Sequence, residues 1–130
     1  NLIRANLSGA DLEEANLEES ILFEANLLNA NLRCANLKGA NLERAYLNEA
    51  NLEKAELEEA MLSGACLDGA NLSETNLSRT NIRKASLVGV LNLEHARNLE
   101  QAIFGDTILD PKNGEIIESM LKKQDYRASK

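Results

Sequence analysis

Every fifth residue from Leu2 to Leu87 is Leu, with Ile82 the one substitute, so that eighteen successive positions keep a five-residue period. The positions two before the next central residue, from 5 to 90, hold fourteen Ala, with Ser20, Thr75, Thr80 and Val90 as the exceptions, which keeps this second column small. The residue just before the Leu is Asn or Asp in twelve of the eighteen units, giving the tandem motif Ala-Asn-Leu-x-x. On an α-helix, residues five apart rotate by roughly 500°, so successive Leu side chains would smear around the cylinder. On a continuous strand they would alternate between faces. Ala and Leu two apart do share one face of a short extended segment. The other three residues must then turn the backbone so that the next pair also faces inward. Asn suits such a turn because its amide bonds nearby backbone. The period therefore predicts a coil lined by Ala and Leu.

Over positions 1 to 90 this motif resembles that of the pentapeptide repeat family, written A(D/N)LXX. The resemblance implies an all-β solenoid, a right-handed quadrilateral parallel β-helix with four repeats and twenty residues per coil. Leu would be the central inward residue and Ala the second, with coils stacked at roughly 4.8 Å. With its last repeats the chain is expected to make about five coils and a short C-terminal α-helix. No single coil buries its Leu edges alone, so stability is a sum of stacking interfaces. The hydroxyls of Ser20, Thr75 and Thr80 are expected to bond backbone. Ile21, Tyr46, Glu56, Met61, Cys66 and Ser86 replace the outward Asn and so alter surface, not core.

The regular β-helix is expected over 1–90, a register break over 91–98, final repeats over 99–110 and a capping or dimerisation helix over 111–127. Leu99, Phe104 and Leu109 are again five apart after the break. Asp110-Pro111 reads as an N-cap followed by Pro at the first helical position, although Asn113-Gly114 could delay the start. Ile116, Ile117, Met120 and Leu121 form one apolar stripe. With Phe104 they are the candidate cap or dimer contacts. An open β-helix end is a sheet edge, and covering it is the first expected use of the stripe. Residues 127–130 are expected to fray.

No site chemistry stands out. No catalytic, cofactor or metal residues are expected, and the protein is not expected to be an enzyme. His95 is the single histidine, lies in the register break and has no triad motif around it. Cys34 and Cys66 lack C-x-x-C spacing and read as two free thiols in a reducing compartment. There is no phosphate-cradling glycine motif; Gly9, Gly39, Gly64, Gly69 and Gly89 all fall in the corner position of a repeat. Aromatic content of 3% with no Trp fits a narrow, regular interior, since a globule uses aromatics to fill irregular volume. A net charge of −7 disfavours direct nucleic-acid or anionic-membrane binding. There is no long apolar run or signal segment. The chain opens inside a repeat without Met, and a trimmed or cleaved start is expected. Cytoplasm is the expected compartment, with periplasm and thylakoid lumen as alternatives.

Sorting residues 1–87 by a twenty-residue coil gives four sides with net charges of +2, −2, −3 and −3. The columns Arg4-Glu24-Arg44, Glu13-Arg33-Glu53 and Glu18-Lys38-Glu58 alternate in sign, which predicts ion-pair ladders that fix stacking register. Ile3, Ile21, Phe23 and Met61 fall on the first side, with Leu28 past its corner. These five are the candidate partner contact. The expected role is a non-enzymatic scaffold or interaction module with a protein partner, as monomer or weak homodimer. The alternative is a DNA mimic acting on a type II topoisomerase, as some family members are. Leu in place of Phe at the central position, and basic residues interrupting both acidic sides, weigh against it.

Overall fold

The five-residue unit closes through one tight turn. In the computed structural model, which describes residues 1–129, each small residue's N–H donates to the Leu carbonyl three residues earlier, as Ala45 does to Leu42 at 3.0 Å. The residue between them at the corner has positive φ at all eighteen corners from Arg4 to Gly89, between 53° and 72°. Five corners are Gly, for which this conformation is free of strain. The other thirteen carry side chains, mostly Glu, Arg and Lys, each at a cost of roughly 1 kcal/mol. The Asn or Asp before each Leu offsets part of that cost. In all twelve units that have one, its Oδ1 accepts the N–H two residues on, at 3.0–3.2 Å. The turn residue is thus written into the repeat.

Successive coils are held by backbone bonds. Tyr46 N donates to Ala25 O at 2.9 Å, Leu47 N to Cys66 O at 2.7 Å and Glu49 N to Asp68 O at 2.9 Å. Parallel bridges join residues twenty apart, from Asn6↔Asn26 to Asn71↔Leu91. Pairing is confined to isolated bridges, because a turn follows every third residue. Four turns in twenty residues make each coil four-sided. From Leu22 to Leu87 the central residues are at most 2% exposed, whereas Leu2, Leu7, Leu12 and Leu17 of the first coil are partly buried. Each fully buried Leu contributes about 1.5–3 kcal/mol.

Two of the three hydroxyl substitutions behave as expected. Thr75 Oγ1 donates to Leu52 O and Thr80 Oγ1 to Leu57 O, both at 2.7 Å. Ser20 does not: its Oγ is buried without a partner. Thr places its hydroxyl by a branched, restricted χ1, while Ser20 has nothing to steer it onto a carbonyl. Ser20→Ala is therefore expected to raise stability by about 1 kcal/mol, and equilibrium urea unfolding checks it.

The break after Val90 is two separate one-residue expansions. The bridge offset is 20 at Asn71↔Leu91, 21 at Asn76↔Arg97 and 22 at Asn81↔Ile103 and Ser86↔Ile108. Each step is a 3-10 turn, Leu93–His95 and Leu99–Gln101, preceded by an Asn in the left-handed region. Leu93 and Leu99 stay inward and buried. Helix α1 then runs Pro111–Ala128, eighteen residues against the expected 111–127. Asp110 is its N-cap and accepts from Asn113 N at 3.1 Å. Asn113-Gly114 delays nothing. Fraying of 127–130 is not seen at Arg127 and Ala128, which are helical, and Lys130 lies outside the described residues.

Candidate functional site

The coil decides which of the candidate contact residues meet. Residues twenty apart share a column, so Phe23 lies directly beyond Ile3, with Glu43 next. Ile21 sits on the same side in the bridge column. There Asn41 separates it from Met61, through Ile21↔Asn41 and Asn41↔Met61. Ile3, Ile21 and Phe23 thus form one group on the first two coils, while Met61 stands two coils away. Leu28 belongs to the next side, where its carbonyl accepts from Ser8 Oγ at 3.3 Å. Ile3 is 48% exposed and Ile21 42%, whereas Phe23 is half-buried with the Arg44 guanidinium 5.9 Å from its ring centre. The candidate patch is therefore smaller than five residues, and Arg44 covers part of it.

A second exposed apolar group was missed. Tyr46 (55% exposed), Val88 and Ile108 project from the second side along with Leu28. That side carries only Glu49 and Asp68 as charges within residues 1–87. The signal was present in the weak charge of this side and in Tyr46 at an Asn position. Ile108 could not be placed there until the 22-residue offset of the last coil was known.

At the other end, Ile117 is buried, and Phe104, Ile116 and Met120 pack partly buried against the core. Leu121 does not join them and is 44% exposed. Between α1 and the two 3-10 turns lies an open cleft of about 570 Å³, with Leu99, Ile116 and Met120 among its lining and Lys123, Glu100 and Glu115 among its charges. Gln124 Nε2 donates to Glu100 O at 3.0 Å beside it.

The charge columns form ladders, with one departure. Glu24 joins Arg4 at 2.7 Å and Arg44 at 3.1 Å, and Arg33 joins Glu13 at 2.6 Å and Glu53 at 3.7 Å. In the third column Lys38 meets Glu58 at 3.5 Å, but no Glu18–Lys38 pair forms among the described residues. Glu18 instead accepts from Asn36 Nδ2 at 3.2 Å, and Arg79 completes the Glu58 cluster at 2.8 Å. The Arg4 hydrogen bond holds the Glu24 carboxyl below its ordinary value, with Arg44 adding to it. Arg79 and then Lys38 do the same for Glu58. Asp110 is lowered by the N–H groups of Asn113 and Gly89.

These three folded-state values lie below the unfolded ones, so their stabilisation is complete above the ordinary carboxylate range near pH 4 and is lost as pH falls through and below it. Unfolding free energy should therefore drop between about pH 5 and pH 3, and a Glu24→Gln, Glu58→Gln double variant should show a shallower drop. Denaturant titrations across that range measure it.

His95 is exposed on the first 3-10 turn. Among the described residues, no three His, Cys, Asp or Glu side chains are grouped to hold a metal, and no helix is long and apolar enough to cross a membrane.

The Pentapeptide repeats family model matches residues 1–39, 35–73, 57–91 and 67–109. No curated protein matches the chain. Among solved structures, Rfr23, a pentapeptide repeat protein from the cyanobacterium Cyanothece 51142, is 36% identical over 75% of this chain with a TM-score of 0.58. This chain spans only 61% of the length of Rfr23. The pentapeptide repeat protein alr5209 from Nostoc Pcc 7120 is 30% identical, over 82% of this chain and 86% of its own, with a TM-score of 0.66. QnrB1, a plasmid-mediated fluoroquinolone resistance protein, is 19% identical over 89% of this chain and 65% of its own, with a TM-score of 0.60, a likeness of fold alone. The fold of this family is the right-handed quadrilateral β-helix. Four turns per twenty-residue coil, Leu and Ala inward, and family matches reaching residue 109 give one conclusion: the chain belongs to the pentapeptide repeat family.

Proposed function

We propose that this protein is a non-catalytic scaffold that presents flat sides to a protein partner, with α1 covering one end of the rod. The observation that carries this reading is how the outward residues are used. Twelve Asn or Asp side chains bond their own turns, and the charged columns pair coil to coil. These groups maintain stacking and converge on no pocket. Among the exposed apolar residues, Ile3 and Ile21 beside Phe23 form a group on the first two coils and are the proposed partner contact. Leu28 and Met61 would extend it at most as outlying contacts. Phe104, Ile116, Ile117 and Met120 are assigned to the cap, which leaves only Leu121 of the stripe for a dimer and favours a monomer. Free Cys34 and Cys66 fit a reducing cytoplasm.

The test uses the wild type and an Ile21→Ser, Phe23→Ser variant as baits in host extract. A protein retained by the wild type and lost by a variant with unchanged circular dichroism is the expected result. Equal capture by both contradicts the patch. The DNA-mimic alternative is opposed by Arg33, Lys38 and Arg79, which pair with the carboxylates of both acidic sides and break their continuity. Inhibition of gyrase supercoiling, or protection from a gyrase-directed drug, at micromolar protein would reverse that ranking.

A further inference from the structure

Where the backbone ladder stops, two side chains take over its bonds. Within the rod, Gly69 N donates to Val88 O at 2.9 Å, and Ala70 O accepts from Leu91 N at 2.9 Å. One coil later Gly89 N donates instead to the Asp110 carboxylate at 2.7 Å, and Val90 O accepts from Asn113 Nδ2 at 3.2 Å. The same amide nitrogen reaches Leu87 O at 3.4 Å and Asp110 Oδ2 at 2.7 Å. Asp110 and Asn113 therefore imitate the strand of a next coil and tie the start of α1 to the last corner of the rod.

The chemistry of the tie is one-sided. Asn113 is 1% exposed, and its Oδ1 is buried without a partner, so its side chain serves only as a donor. Three acceptors converge on that nitrogen, and one of them carries charge. A carboxylate in its place would face two carbonyls and a second carboxylate with no proton to offer. Asn113 is also followed by Gly114, the single Asn-Gly pair in the chain. Gly leaves the following backbone nitrogen unhindered toward the Asn side-chain carbon. Here that nitrogen is engaged, donating to Asp110 O at 2.9 Å in the first turn of α1.

We propose that Asn113 is a deamidation site whose conversion to a carboxylate releases α1 from the end of the rod. The Gly114 nitrogen attacks Asn113 Cγ, the side-chain nitrogen departs as ammonia, and water opens the cyclic imide to aspartate or isoaspartate. Water is the only co-reactant. While α1 is docked, its first-turn hydrogen bond and the three acceptors hold the reacting groups apart. Opening of the helix start frees them, and the product cannot remake the tie. Release uncovers Leu93, Leu99 and the inner face of Ile117.

The experiment ages the full chain at raised temperature and mildly alkaline pH, locates acid products by tandem mass spectrometry, and follows amide exchange in native protein, aged protein and Asn113→Asp. Conversion at Asn113 should be slower in the native chain than in urea. In aged molecules and in Asn113→Asp, exchange within 111–128 should rise about tenfold or more, while 42–62 keeps its protection. Wild-type exchange in the helix of Asn113→Asp would overturn the proposal. So would equal conversion in native and unfolded chains, no conversion at Asn113 in either, or a loss of protection spread equally over coils and helix.

Discussion

Leu52→Ala is expected to lower the stability of the rod by about 2–5 kcal/mol, toward the upper end of that range. Leu52 is fully buried, one coil from Leu32 on one side and Leu72 on the other. The cost of a deleted core side chain depends on how far the site collapses, and here the backbone is clamped against collapse. Leu52 N donates to Asn71 O and Asn51 N to Ala30 O, both at 2.9 Å, so the walls of the cavity are tied to neighbouring coils. In a solenoid one weak layer also weakens two stacking interfaces. Leu121→Ala, which removes as many atoms from an exposed position, should change stability by less than about 0.5 kcal/mol. Urea unfolding of the two variants side by side measures the contrast. A loss below about 1 kcal/mol at Leu52 would mean that the central column is not a close-packed core.

Removing residues 111–130 is the second large perturbation. The last coil would lose the cover of Ile116, Ile117 and Met120, and with it the Asn113 donor to Leu87 O, Val90 O and the Asp110 carboxylate. Leu93 and Leu99 would meet solvent beside an unpaired sheet edge, the situation in which β-proteins associate edge to edge. The truncated chain should keep its coil signature in circular dichroism and form concentration-dependent oligomers by light scattering, where the full chain scatters as one species. Unchanged scattering after truncation would show that α1 is not a cap.

Much of this fold is legible in the repeat itself. Leu and Ala at fixed offsets name the inward columns, and Asn before Leu names the turn, because each of those residue types has one physical use at its position. The parts that sequence does not reveal depend on contacts between distant residues. Glu, Arg and Lys are poor left-handed formers, yet thirteen non-glycine corners adopt that conformation, most of them tied by the N–H to a carbonyl of the next coil. The two 3-10 turns keep Leu93 and Leu99 inward while shifting the offset by one residue each, and a period count sees only the lost phase. Glu18 stands in the right column for Lys38, but Arg79 takes part from a neighbouring corner. The tie between Asn113 and the corner at Leu87–Val90 joins residues more than twenty apart across a register that sequence alone does not supply.

Among the candidate sites, Ile116, Ile117 and Met120 were legible as one face of α1 because helical spacing is strong over a few turns, whereas Leu121 stands outside it. The apolar patch was legible in its columns, since a twenty-residue coil sets Asn41 between Ile21 and Met61, but the Arg44 guanidinium over the Phe23 ring was not.

The chain winds in twenty-residue coils whose backbone bonds run between neighbouring coils. Scalar couplings transmitted through hydrogen bonds in solution NMR test it most directly. Leu47 N should couple to the carbonyl carbon of Cys66, and Tyr46 N to that of Ala25. The same pair of offsets should recur at each repeat through the central coils. Couplings from these amides to carbonyls four residues earlier, or to partners at irregular offsets, would contradict the coil.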